Sequence, residues 1–145
     1  MLKGSLPELF LDTDVAFDIL SKREPHFEHS VLLLELAAKD HASLLIAESS
    51  LANLIYLCFD IYKLKSADRR LLDFISACDI ISGGKEIMIK AISSGFKDKE
   101  DALQYYTALH HGADYFITRN ISDYKKTSER LPVMTPAEFV ASTGV

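Results

Sequence analysis

Asp12 closes a short apolar run, Leu9-Phe10-Leu11, and is followed by Thr13, Asp14 and a helix-like stretch. A carboxylate so placed stands where a buried parallel strand empties into the crevice that open α/β sheets use for ligands. Downstream, Asp98, Glu100 and Asp101 open a second helical pattern, and Asp123 comes after another apolar run, Tyr115-Phe116-Ile117. Carboxylates drawn from distant segments repel and raise one another's pKa, so a shared pocket calls for a cation or a proton between them. A hard divalent metal ion is the expected cation, because such ions take oxygen ligands.

Each acid also has a plainer role open to it. A strand-end Asp12 can cap the next helix, alone or with Asp14. Asp101, in a first helical turn, suits the helix dipole, and Asp123 can turn the chain before Tyr124. Capping does not explain their order: a strand-end acid, a helix-start group, then Thr118-Arg119-Asn120 after a strand with Asp123 beyond it.

The elements that must position these residues alternate. Strand-like runs fall at residues 9–12, 43–47, 80–81, 115–118 and 133–134, with helical patterns between them, which predicts an α/β domain with a central, mostly parallel sheet flanked by helices. The pattern reads as one domain over residues 1–145, and Gly83-Gly84 is a loop within it. Thr135, Pro136 and Glu138 predict a capped C-terminal helix. Residues 51–62 read as one helix with two apolar stripes: Leu51, Leu54, Ile55, Cys58 and Tyr62 on one face, Ala52, Tyr56 and Phe59 on another. The second stripe needs cover from the helix around Leu71, Leu72 and Ile75, or from a second copy of the chain, so a homodimer is expected.

The 145 residues, 48% hydrophobic and 26% charged, suffice for a stable core without staples. Cys58 and Cys78 sit in apolar stretches without metal or redox spacing and read as buried thiols. The five histidines form no zinc pattern; His110-His111 suit a helix C-terminus. Neither a signal peptide nor a membrane-spanning run is visible, so a cytoplasmic protein without membrane contact is expected. A net charge of −5 excludes a broad basic footprint for nucleic acid but not a local basic rim.

The stretches Leu9-Phe10-Leu11-Asp12-Thr13-Asp14-Val15, Phe96-Lys97-Asp98-Lys99-Glu100-Asp101-Ala102-Leu103-Gln104 and Phe116-Ile117-Thr118-Arg119-Asn120-Ile121-Ser122-Asp123-Tyr124 resemble the PIN domain, especially the subgroup related to VapC toxins. The resemblance spans essentially the whole chain. It implies a parallel sheet flanked by helices, an acidic pocket for Mg²⁺ or Mn²⁺, metal-dependent cleavage of RNA, and an antitoxin protein as partner. Position by position, it makes Asp12, Asp101 and Asp123 the catalytic and metal-binding acids, with Thr118 and Asn120 orienting them. Where many relatives carry a Glu on the helix after the second strand, this chain has Asn53, which offers an oxygen but no charge. Asp14, Asp98 and Glu100 are the acids placed to compensate.

Lys97, Lys99, Arg119, Lys125 and Lys126 flank the acidic motifs and are the expected contacts to RNA phosphates. Asn53 also fits a second reading, a catalytically weak or inactive domain that binds RNA or a protein. Asp12-Thr13-Asp14-Val15-Ala16 further resembles the opening motif of haloacid-dehalogenase-like phosphatases, but no counterpart of that family's later lysine and paired acids comes after Asp123.

Overall fold

The computed structural model describes residues 5–124 and 130–144. Five strands form one sheet: β1 (Glu8–Leu11), β2 (Ser43–Ala47), β3 (Cys78–Ile81), β4 (Tyr115–Ile117) and β5 (Val133–Met134), in the order β3-β2-β1-β4-β5. Every pairing is parallel, with Phe10 opposite both Leu45 and Phe116. From β1 the chain builds outward through β2 and β3, then returns to add β4 and β5 on the other side. The strand order therefore reverses between β1 and β4, where open α/β sheets leave a crevice at the strand C-termini.

Helices cover both faces, as a parallel sheet requires. Leu9, Leu11, Leu44, Ile46 and Ile117 point to one face and pack with residues of α1 (Thr13–Ser21), α2 (Phe27–Ala38), α3 (Glu48–Tyr56) and α4 (Ala67–Ser76). Phe10, Leu45, Ala47 and Phe116 point to the other, against Tyr105 and Ala108 of α6 (Lys99–His111). This two-residue alternation along short apolar strands is what makes them legible as fully buried. Between β3 and α5 (Gly84–Ser93), Gly84 takes φ 73°, the left-handed geometry that glycine adopts without strain. The final helix, α7 (Pro136–Ser142), carries the expected capping box between Thr135 and Glu138. No described helix is long and apolar enough to cross a membrane.

The helix expected over residues 51–62 differs in both extent and winding. It begins at Glu48, and after Tyr56 the chain passes into a π-helical turn, Leu57–Ile61, closed by Tyr62 N donating to Leu57 O at 2.8 Å. The wider turn holds an extra residue and rotates the side chains beyond it. Leu51, Leu54 and Cys58 are buried as expected, but Ile55 and Tyr62, assigned to the same stripe, are about half exposed together with Tyr56, Phe59 and Ile61. Leu71, expected to cover this surface, is buried in the main core instead.

Candidate metal-binding active site

Asp12 is the N-cap residue of α1, yet its side chain makes no capping hydrogen bond. The Thr13 N–H at this helix start is taken at 2.9 Å by Oε1 of Gln104, from α6. The Asp12 carboxylate faces β4 instead of the helix start, and its Oδ2 accepts from the Thr118 hydroxyl at 2.7 Å. The strand ends are locked around it: Asp12 N donates to Ile117 O at 2.9 Å, and Thr118 N to Met134 O at 3.0 Å. Thr13 in turn donates its hydroxyl to Ser50 of α3 at 2.9 Å, tying in the third element.

Only 4% of Asp12 is exposed. Burial pushes its carboxyl up to about 6, the charge of Asp14 adds to the rise, and hydrogen bonding from Thr118 and Gln104 opposes it. On α6, Asp101 is pushed up to about 7, first by desolvation, then by the charges of Asp98, Asp12 and Asp123, while the Tyr124 hydroxyl stabilises the anion. Glu100 is raised too, by desolvation and by Asp98 and Asp14. These carboxylates therefore share one electrostatic environment at the β1/β4 crevice, and each makes ionisation of the next harder.

Within this cluster the residues hold different places. Asp98 is the N-cap of α6, its Oδ1 accepting from Glu100 N at 2.9 Å and Asp101 N at 3.2 Å, so the capping role falls to it and not to Asp101. Asp123 lies on the exposed rim in a 3₁₀ segment, Ile121–Tyr124. Asn120 is exposed as well, and it is its backbone N–H, not its amide, that reaches Thr118 Oγ1, at 3.1 Å. Asn53 does face the cluster: its Nδ2 lies 3.4 Å from Glu100 Oε2. Asp14 is exposed in the first turn of α1.

Of the basic residues, Lys97 is exposed, and Lys99 donates to Ser94 O at 2.7 Å. Arg119 is turned away from the acids, its Nε bonded at 2.7 Å to the buried Asp18. Lys125 and Lys126 lie outside the described residues.

Two participants carry no acidic signal in the sequence. Gln104 is three residues after Asp101, a spacing that puts both on one face of α6. Tyr124 is held by ring contacts with Phe116 at 4.7 Å and Phe96 at 5.8 Å, which carry its hydroxyl to Asp101.

By donor type the cluster suits a hard divalent cation: the oxygens are carboxylate, and two carboxyls are held in a state that a nearby positive charge would relieve. Among the described residues, no group of three or more His, Cys, Asp or Glu is gathered closely enough to hold a metal ion on its own. A site of this kind leaves coordination positions to water or substrate, as Mg²⁺ sites commonly do.

A family model described as the PIN domain matches residues 8–122, and the chain belongs to that family. Among curated proteins it is similar to Ribonuclease VapC1 of Aquifex aeolicus (strain VF5), with 28% identity over 137 residues, covering 91% of this chain and 92% of that one. Among solved structures it is similar to a chain in VapBC2 from Rickettsia felis bound to a DNA fragment from their promoter, with TM-score 0.67 and 24% identity over 87% of this chain and 96% of that one. A chain in a toxin-antitoxin complex from Klebsiella pneumoniae gives TM-score 0.64 and 20% identity over 88% and 97%. These two likenesses establish the fold.

Proposed function

We propose that the chain is a divalent-metal-dependent endoribonuclease and the toxin of a toxin-antitoxin pair, with Asp12, Asp101 and Asp123 as its acidic centre and Mg²⁺ or Mn²⁺ as its ion. The observation that carries this reading is the Asp12 side chain: it is buried, it does not cap its helix, and its charge raises Asp101. A carboxylate kept for structure alone would cap its helix or pair with a cation. The 28% identity to a protein named as a ribonuclease supports the substrate class.

When bound, the ion supplies the means to lower the pKa of a water and to offset charge on a phosphate. The chain's own residues hold and orient. Thr118 fixes the Asp12 carboxylate through Oδ2, Tyr124 holds Asp101, and Glu100 with Asn53 borders the site on the α3 side. Asp123 adds its charge to that of Asp101 from the exposed rim.

An antitoxin is the proposed protein partner, since one structural neighbour is named as a toxin-antitoxin complex. The exposed Ile55, Tyr56, Phe59, Ile61 and Tyr62 give a second copy an apolar surface to cover, supporting a homodimer. The working unit is one domain over residues 1–145, acting in the cytoplasm without membrane contact.

Asn53 favours a second reading, a weakly active or inactive domain that binds RNA or protein. Incubating the purified chain with varied RNAs in Mg²⁺ or Mn²⁺, beside Asp12→Asn prepared identically, separates the two. Metal-dependent cleavage lost in the variant supports the nuclease; equal cleavage by both, or none by either, rules against it.

A further inference from the structure

Where the N-termini of α2 and α7 meet Arg119, a cavity of about 260 Å³ is lined by His26, His29, Ser30, Arg119 and Thr135, with Pro136 and Ala137 completing its wall. Its chemistry is opposite to that of the carboxylate cluster. Asp18, fully buried, accepts from Arg23 Nε at 2.8 Å and Arg119 Nε at 2.7 Å, so one carboxylate faces two permanently charged guanidiniums and the group keeps a net positive charge. Arg119 commits only its Nε there, and no described hydrogen bond takes its terminal amino groups. Ser30 is buried, and its hydroxyl has no hydrogen-bond partner among the described residues, although such groups are nearly always satisfied. Thr135 accepts from Glu138 N at 3.1 Å and retains its own hydroxyl proton. The nearby acids are already engaged, Asp18 by the arginines and Glu138 by the Thr135 N–H at 2.9 Å.

We infer that this cavity holds a backbone phosphate of the RNA strand whose scissile bond lies at Asp12, an assignment that rests on the nuclease reading above. Guanidinium and imidazole side chains and the Thr135 hydroxyl line it, and a planar guanidinium with free amino groups matches a phosphate in two hydrogen bonds. Its position fits a continuous strand. Thr118 holds Asp12, and the next residue, Arg119, turns to Asp18 and lines the cavity, so both sites are reached from the end of β4.

Steady-state cleavage by the Arg119→Lys variant and by the double variant His26→Gln/His29→Gln tests the assignment. The first keeps the charge but loses the fork; the second leaves the Asp18 ion pairs intact. Each should raise KM for RNA about tenfold with kcat nearly unchanged, the loss of one charge-assisted hydrogen bond. Unchanged KM in both, with wild-type unfolding temperatures, overturns it. Should no RNA be cleaved at all, NMR titration of the wild-type protein with inorganic phosphate and with a non-cleavable 2′-O-methyl RNA oligonucleotide still decides. Shifts of the Arg119, His26 and His29 side chains with the oligonucleotide support the strand site. Shifts with inorganic phosphate alone, or with neither, refute it.

Discussion

Thr118 donates its hydroxyl to Asp12 Oδ2 across 2.7 Å, joining the ends of two adjacent strands that lie 106 residues apart in sequence. The bond stabilises the charged form of a carboxylate that burial works to neutralise. Thr118→Val keeps the shape and removes the donor. The Asp12 carboxyl should then rise above about 6, and the pH midpoint for metal-supported cleavage should move upward by several tenths of a unit or more, at a stability cost of about 1 kcal/mol. A pH–rate profile with a parallel thermal melt measures both, and an unmoved midpoint contradicts this role.

Asp12→Asn and Asp101→Asn should each abolish RNA cleavage while preserving the fold. Both remove negative charge from a crowded site with little change in volume. In chelator, Asp12→Asn should therefore melt above the wild type at pH 7.5. Circular dichroism and calorimetry beside the cleavage assay check this, and a melting temperature below wild type would contradict it.

The same crowding fixes a pH dependence. Asp12 rises from 3.8 in the unfolded chain to about 6 in the folded one, and Asp101 from 3.8 to about 7, so between roughly pH 4 and 7 the folded state binds more protons than the unfolded state. Stability without metal should accordingly fall as pH rises through that window and level off above it, with Asp12 contributing at most about 3 kcal/mol. Added Mg²⁺ or Mn²⁺ competes with those protons, so its stabilising effect should be larger at pH 7.5 than at pH 5.5. Urea melts with and without metal at the two pH values measure the difference.

Asn53→Glu should raise metal affinity and cleavage rate. It places a carboxylate where the present amide nitrogen lies 3.4 Å from Glu100 Oε2. Without metal, that variant should be less stable than wild type through repulsion by Glu100, and metal should reverse the order. Isothermal titration and melts in chelator report the two halves, and a variant insensitive to metal would place Asn53 outside the site.

Much of this arrangement is legible in the sequence because the strands are short, apolar and bounded by polar residues. Leu9-Phe10-Leu11 before Asp12 and Tyr115-Phe116-Ile117 before Thr118 each announce a buried strand and the side chain at its mouth. The capping of α7 is equally local, carried by Thr135 and Glu138. The commitment of Asp98 to capping α6 is not, because three acids within four residues offer the same chemistry and only backbone geometry chooses among them. Nor is the π turn at Leu57–Ile61, since periodicity assumes constant winding and one extra residue moves Tyr62 off the buried stripe. Sequence neighbours set Arg119 beside the acids, whereas its partner, Asp18, is fixed by how α1 packs beside β4.

The hydrogen bond from the start of α1 to Gln104 also sets a timetable. The side chains that support or oppose the Asp12 carboxylate from outside α1, Gln104, Thr118 and Asp101, are encoded after residue 100, although Asp12 itself is among the first dozen residues made. A nascent chain that ends before β4 can form β1, α1 and β2, but its Asp12 is then free to serve as an ordinary cap. The proposed centre is complete only in the closing steps of synthesis, when α6 and β4 dock, so chains terminated before β4 should lack the proposed activity.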